Sequence, residues 1–455
     1  MDSRTARRLR PQRPIGPASS ALVSCLVVVA LAACGQPARS DSTCDGELSG
    51  PRPTYITAWF HDGGTVSAEA ETLRGQVDAF NAAQRDVQVK LITLPVGDYG
   101  RQVTVAATHG DLPDVLDFDG PNLYNYAWSG KLKPIDSCVS TGLREDLLPS
   151  ILQQGTYAGR LWGMGTFDSG LGLYVRPSIL ARAGIRIPTG PGDAWNVDEF
   201  TSVLQRLRQA GFSQPLDLQL NEPNPEWHTY GFAPAVWSAG GDLIDRATYR
   251  KVDGFLNGPP AVHALTILRK WYSEGYVDPN TNGDGFEEGR SPISWIGHWF
   301  YDRYAKAFPG DVEVVPLPNF GEGTATASGS WQWGMTSNAI DGDAVWRFLE
   351  FLLSPQEVLR MTQASGAVPA TRSAVRISPT FGPGGPEHLY IQQLENGVAR
   401  PRPQTPAYPA LSDAFARAFN EAVVQGRPVK DSLDAAVGRV EGELRDHAYY
   451  PPPER

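Results

Sequence analysis

Beyond its first thirty-odd residues the chain has no apolar run long enough to span a bilayer, which takes about 20 residues. Its 41% apolar content is ordinary for a globular protein in water. Histidine is scarce and scattered: His61, His109, His228, His263, His298, His388 and His447 include no pair four residues apart. The spacing of a catalytic zinc helix is therefore missing, and no metal is expected. The strings H-E-x-x-H, G-x-S-x-G and G-x-x-x-x-G-K-[ST] are also absent, which removes the common zinc-peptidase, serine-hydrolase and P-loop templates. No cofactor is implied. Positive charge is short as well, with 40 Lys and Arg against 50 Asp and Glu, which argues against nucleic acid or an anionic lipid surface as partner.

What is present begins with an export signal. Arg4, Arg7, Arg8, Arg10 and Arg13 precede a short apolar run, Ala21 to Ala32, that closes on Leu31-Ala32-Ala33-Cys34. A basic start, about a dozen apolar residues and a small-residue end form the secretory pattern. The last four residues are similar to the bacterial lipobox, so residues 1–33 are expected to be removed and Cys34 to carry the lipid, including palmitate. Arg7-Arg8 leaves the general and twin-arginine export routes both open. Losing five arginines and one aspartate takes the formal charge from −10 to about −14. Of the four cysteines, Cys25 leaves with the signal. Cys44 and Cys138 form an even pair in an oxidising compartment and are expected to be disulfide-bonded. Closing so long a loop stabilises by about 4 to 5 kcal/mol in the chain-entropy account.

Residues 35–53 are polar and read as a flexible tether. Folded sequence then starts with the β-rich TYITAWF (54–60), ended by Asp62-Gly63-Gly64. Ala70, Leu73, Val77 and Phe80 follow at helical spacing, then VQVKLITL (87–94), a further helix and a third strand over 114–118. Such β-α-β-α-β alternation favours a mostly parallel sheet flanked by helices. The pattern restarts with strands at 171–175, 216–220, 293–297 and 312–316, and helices at 196–210, 344–353 and 431–446. In the first of these helices Asn196 is placed to cap and Glu199 to complete a capping box, with Gly211 as the stop. The 422 residues from Cys34 onward exceed one core, and two α/β lobes with a cleft between them are expected.

Asp278-Pro-Asn280-Thr-Asn282-Gly283-Asp284 matches the opening of a calcium loop, but the twelfth position is Gly289 where a bidentate Glu belongs. Asx residues in turns account for the segment without metal.

The unusual feature is aromatic. Twelve tryptophans are present, several beside acids, amides or turn glycines: Trp59 to Asp62, Glu226-Trp227-His228, His298-Trp299 and Gly329 to Trp333. Sugars have apolar C–H faces that stack on rings and hydroxyls that need hydrogen-bond partners, which carboxylates, amides and His supply. Such a cluster suits a neutral polyol, although any single tryptophan is better explained by a core than by ligand contact.

These stretches resemble the extracellular solute-binding proteins of carbohydrate ABC importers, the maltose and multiple-sugar type. The likeness runs in order through FNAAQ (80–84), ATHGDLPDVLDFDG (107–120), GKLKP (130–134), LYVR (173–176), FEEG (286–289), WIGHW (295–299), VPLP (315–318), SWQWG (330–334) and GAVPA (366–370). It implies a type II periplasmic-binding-protein fold of two discontinuous lobes. Residues 54–168 with 332–368 would form the first lobe, and 169–331 with 369–455 the second. It also implies ligand contacts from His61, Asp62, Asp119, Asp168, Ser169, Glu226, Trp227, Trp299 and Trp331, with Glu222 as a substitute for Glu226. For Asp168 a hinge role competes, and for His61 and Asp62 capping of the following helix does. The function so implied is a non-catalytic, monomeric, lipid-anchored receptor on the outer face of the membrane, passing a neutral carbohydrate to a permease. The alternatives are an extracytoplasmic carbohydrate-active enzyme and a binding protein for a non-sugar ligand.

Overall fold

The structure is a computed structural model that describes residues 43–62, 67–221 and 225–452. The signal, Cys34, Gly63-Gly64 and Glu222 lie outside the described residues.

Strand β1, Thr54–Asp62, buries Ile56, Ala58 and Phe60 on one face. Helix α1, Ala68–Ala83, starts where the Ser67 hydroxyl accepts from the Ala70 N–H at 3.2 Å, and it buries the Ala70, Leu73, Val77 and Phe80 stripe. Strand β2 (Val87–Pro95), helix α2 (Val96–His109) and strand β3 (Val115–Asp119) follow. β2, β1 and β3 are parallel. Beyond β3, Trp331–Met335 pairs with it antiparallel, and Gly163–Met164 pairs antiparallel with Trp331–Met335 at the edge. The second sheet repeats this plan. Val277–Asp278, Leu216–Asp217 and Ile293–Gly297 are parallel, Leu171–Val175 runs antiparallel beside Ile293–Gly297, and Glu313–Val315 pairs antiparallel with Leu171–Val175 at the edge. The sheets are thus more mixed than the alternation alone suggests.

The first sheet is covered on both sides. One core joins Phe60, Leu73, Phe80 and Trp333 to Phe348 and Leu349, and the other holds Val103, Leu116, Phe118 and Leu123. The second sheet sits in one large core built round Trp195, Trp237, Trp271 and Trp295, all four fully buried. Those four tryptophans are structural.

Local detail departs from expectation at identifiable points. Asn196 does cap its helix, Val197–Gln209, through Glu199 N at 2.9 Å. The Glu199 carboxylate, however, pairs with Arg186 at 2.6 and 2.7 Å instead of closing a capping box. The strand expected over 216–220 stops at Asp217 because Gln219 is left-handed, with φ 51°. Helix Pro225–Ser238 was not expected at all. It is buried from Trp227 to Ser238, so it has no amphipathic period, and its prolines read as turn signals. Cys44 and Cys138 are disulfide-bonded, fastening the start of the described chain to the segment after Pro134. The same leader lies on the helix Gly342–Leu352, where Asp343 accepts from the N–H groups of Asp45 and Gly46.

Candidate functional site

Strands β1 and β3 end side by side, which sets His61 next to Asp117 and Asp119. His61 Nδ1 lies 2.5 Å from Asp117 Oδ2, and its Nε2 is 3.7 Å from Glu69 on α1. Its ring stacks on Trp331 at 3.5 Å between centroids and 12° between planes. Tyr99 of α2 meets both rings edge-on and donates its hydroxyl to the Asp117 carbonyl at 2.5 Å. Burial opposes the His61 cation, but Asp117 and, after it, Glu69 and Asp119 outweigh that and hold its pKa above the ordinary value. Burial raises the pKa of Asp117 and Glu69 in turn, with His61 working the other way. Asp62 takes a different part. It accepts from Ser67 N at 3.3 Å and faces Arg74 at 3.4 Å, beside the start of α1.

The opposite wall belongs to helix Pro225–Ser238 and the end of strand Ile293–Gly297. Trp227 stands edge-on to Trp299, 6.3 Å apart at 87°, and Tyr230 lies 6.2 Å from the same ring. Trp299 stays 39% exposed, the cleft's open ring, whereas Trp227 is buried. A β-carbon at Gly297 would stand 2.1 Å from the Trp299 ring, so glycine is what lets that ring fold back over the strand end.

Between the walls stands Arg402, a residue that sequence reasoning did not single out. Its guanidinium donates to Asp119 at 3.1 and 3.3 Å and to Glu226 at 2.9 Å, and it lies 4.9 Å from the Tyr230 ring centre. Glu226 also accepts from Tyr408 Oη at 2.5 Å and from the Ser412 hydroxyl. Burial opposes the Arg402 charge, but Asp119 and Glu226 outweigh it and lift its pKa; burial, against Arg402, lifts that of Glu226. An isolated charge so deep would be strongly unfavourable, and two carboxylates make it tenable. Asp119 and Glu226 are more than 100 residues apart and Arg402 stands in a proline-rich stretch, so no local pattern announces the trio.

Two cavities meet at this bridge. One, of about 350 Å³, holds His61, Ser169, Trp227, Trp299, Trp331 and Arg402 among its lining. The other, of about 570 Å³, is lined by Tyr99, Tyr126, Tyr408, Asn122 and Asp413, among others. Both share Asp119, Glu226, Val96 and Trp331. Volumes of this order are those of small-molecule sites.

Asp168 lies behind the cavity wall, fully buried where the chain crosses between sheets. It accepts from Ser169 N at 2.8 Å, Gly329 N at 2.9 Å and Gln154 Nε2 at 3.2 Å, joining two crossing segments. Burial raises its pKa against those bonds. Ser169 next to it lines the cavity and bonds His298 Nε2 at 2.9 Å. His298 is so buried that its pKa falls to about 3.

The calcium-like loop has its own cation. Arg290 donates to Asp278 Oδ2 at 3.0 Å, to Asn280 Oδ1 at 3.2 Å and to Asn282 Oδ1 at 2.8 Å. Those oxygens belong to the first, third and fifth loop positions, and a guanidinium holds them together.

Of the residues proposed from sequence, His61, Asp119, Ser169, Glu226, Trp227, Trp299 and Trp331 border the cleft cavities, and Asp62 and Asp168 do not. Tyr99, Tyr230, Arg402 and Tyr408 join them unannounced.

Comparison with known proteins adds four findings. The family model for bacterial extracellular solute-binding proteins matches residues 75–382. A Streptomyces antibioticus protein described as an uncharacterized lipoprotein of the oleD 5′ region is 23% identical over 336 residues, 70% of each chain. A Deinococcus radiodurans protein described as a probable ABC transporter-binding protein is 24% identical over 328 residues, 65% of this chain and 72% of that one. Among solved structures, the cyclic α-maltosyl-1,6-maltose binding protein of Arthrobacter globiformis is 25% identical with a TM-score of 0.72. That match covers 87% of this chain and all of the other.

Proposed function

This chain belongs to the bacterial extracellular solute-binding proteins, and on that footing we propose that its solute is a neutral mono- or oligosaccharide. One observation carries the choice: a cleft with aromatic rings on both walls, Trp331 with His61 on one and Trp299 with Trp227 and Tyr230 on the other. Rings on two sides suit the two C–H faces of a pyranose, and the surrounding Asp119, Glu226, Ser169 and Arg402 suit its hydroxyls. The sugar-binding relative from Arthrobacter globiformis supports the same class.

In this reading residues 54–168 with 332–368 and residues 169–331 with 369–455 are the two lobes. Sugar bound between them favours the closed arrangement, because it touches both. A hydroxyl left unpaired in the closed cleft would cost about 1 to 3 kcal/mol, and stereochemical selection rests on that penalty. The chain acts without catalysis, as a monomer, and delivers the sugar to the permease of an ABC importer. The likeness to an ABC transporter-binding protein is consistent with this. Cleavage before Cys34 and lipidation there would tether it to the outer face of the membrane, as the lipoprotein relative suggests.

A thermal-shift screen of the mature chain against mono- and oligosaccharides tests the proposal. A rise in melting temperature with one sugar class, and recovery of that sugar unchanged, is expected. Hydrolysis of the bound saccharide would make the chain an enzyme instead, and a response only to peptides or phosphodiesters would move it to another ligand class.

A further inference from the structure

Gln219 borders the smaller cavity beside Trp227, Trp299 and Phe300. Its φ of 51° is one that residues with a β-carbon rarely hold, and such a conformation persists only where neighbours fix it. Here the fixing groups can be named. Asp217, fully buried, accepts from Gln219 N at 2.7 Å and from Gln219 Nε2 at 2.7 Å. Tyr304 Oη accepts from the same Nε2 at 3.3 Å. Asn280, itself left-handed with φ 41°, donates to Asp217 at 2.8 Å. Asn280 is held in turn by Gly285 N at 2.7 Å and by Arg290 at 3.2 Å. An unbroken chain of bonds thus runs from the Arg290-filled loop to the cleft floor. The stacking wall hangs from the same place, since Leu218 O accepts from Trp227 Nε1 at 3.3 Å.

Both amide hydrogens of Gln219 are committed to Asp217 and Tyr304. Its carbonyl oxygen makes no hydrogen bond to any described residue and is what the side chain has left for the cavity. We propose that Gln219 is a ligand-contact residue, a hydrogen-bond acceptor for one sugar hydroxyl, held in position by Asp217 and the Arg290-filled loop. The inference rests on the carbohydrate reading above. It adds a selection rule: the sugar must present a donor at that point, so an O-methylated or deoxygenated ring position there is rejected.

The test titrates the mature wild-type chain, Gln219→Met and Gln219→Gly with glucose, maltose and maltotriose, following tryptophan fluorescence. Methionine keeps the length and apolar stem but has no acceptor. Glycine suits the left-handed backbone and keeps the test open should the methionine variant fail to fold. Binding of at least one sugar by the wild type, weakened about tenfold or more in both variants, is the expected result. Wild-type binding that both variants match within about twofold would overturn the Gln219 assignment alone. A wild-type chain that answers none of the three sugars would overturn the carbohydrate reading and this assignment with it.

Discussion

At the scale of single residues, two histidines border the cleft and their surroundings drive them apart. Burial works against the cation at both. At His61 the carboxylates of Asp117, Glu69 and Asp119 prevail and the pKa rises; at His298 nothing comparable opposes burial and it falls to about 3. The signs then differ. Stability from His61 is complete below about pH 6.5 and is lost as pH rises through its raised value. Stability from His298 is complete above about pH 6.5 and is lost as pH falls toward 3. Urea unfolding between pH 4 and 6 should therefore be flatter for His298→Gln than for wild type, by about 1.4 kcal/mol per pH unit. His61→Gln should flatten the alkaline side instead. The rings themselves make a plainer prediction. Trp331→Ala removes the ring that His61 backs on one face and that would offer a sugar its other face, and should weaken binding by about 2 kcal/mol, roughly thirtyfold in Kd by calorimetry.

At the scale of elements, the crossing segments matter most. Asp168 collects N–H donors from Ser169, Gly329 and Gln154, so Asp168→Ala leaves several buried donors without an acceptor. A loss of about 3 kcal/mol in unfolding free energy is expected by chemical denaturation. Cys44→Ser with Cys138→Ser opens the 94-residue separation those residues close. It should cost about 4 kcal/mol in the chain-entropy account, seen as a lower urea midpoint that reductant reproduces in the wild type. Elements with a solvent face were legible in the sequence, because burial on one side imposes a period: α1 shows Ala70, Leu73, Val77 and Phe80, and the helix after Asn196 shows Phe200, Leu204 and Leu207. Helix Pro225–Ser238 has no such face and stayed hidden. The cleft was legible in the same proportion. Trp227, Trp299 and Trp331 announce themselves by type and company, while Arg402 acquires meaning only when Asp119 and Glu226 are brought to it by the fold.

For the whole molecule, the cleft couples ligand to stability. A sugar present at a hundred times its Kd should raise the unfolding free energy by about 2.7 kcal/mol, provided that it binds only the folded chain. Calorimetric melting across a sugar titration checks this. The contribution of Arg290 reaches beyond the loop it fills. A receptor displayed outside a cell meets water whose hardness it cannot control, and a wall pinned by a borrowed divalent ion would soften whenever that ion was diluted or chelated. Here the ion is part of the chain. The three loop oxygens are held by a guanidinium written into the sequence, so removing divalent ions leaves them paired.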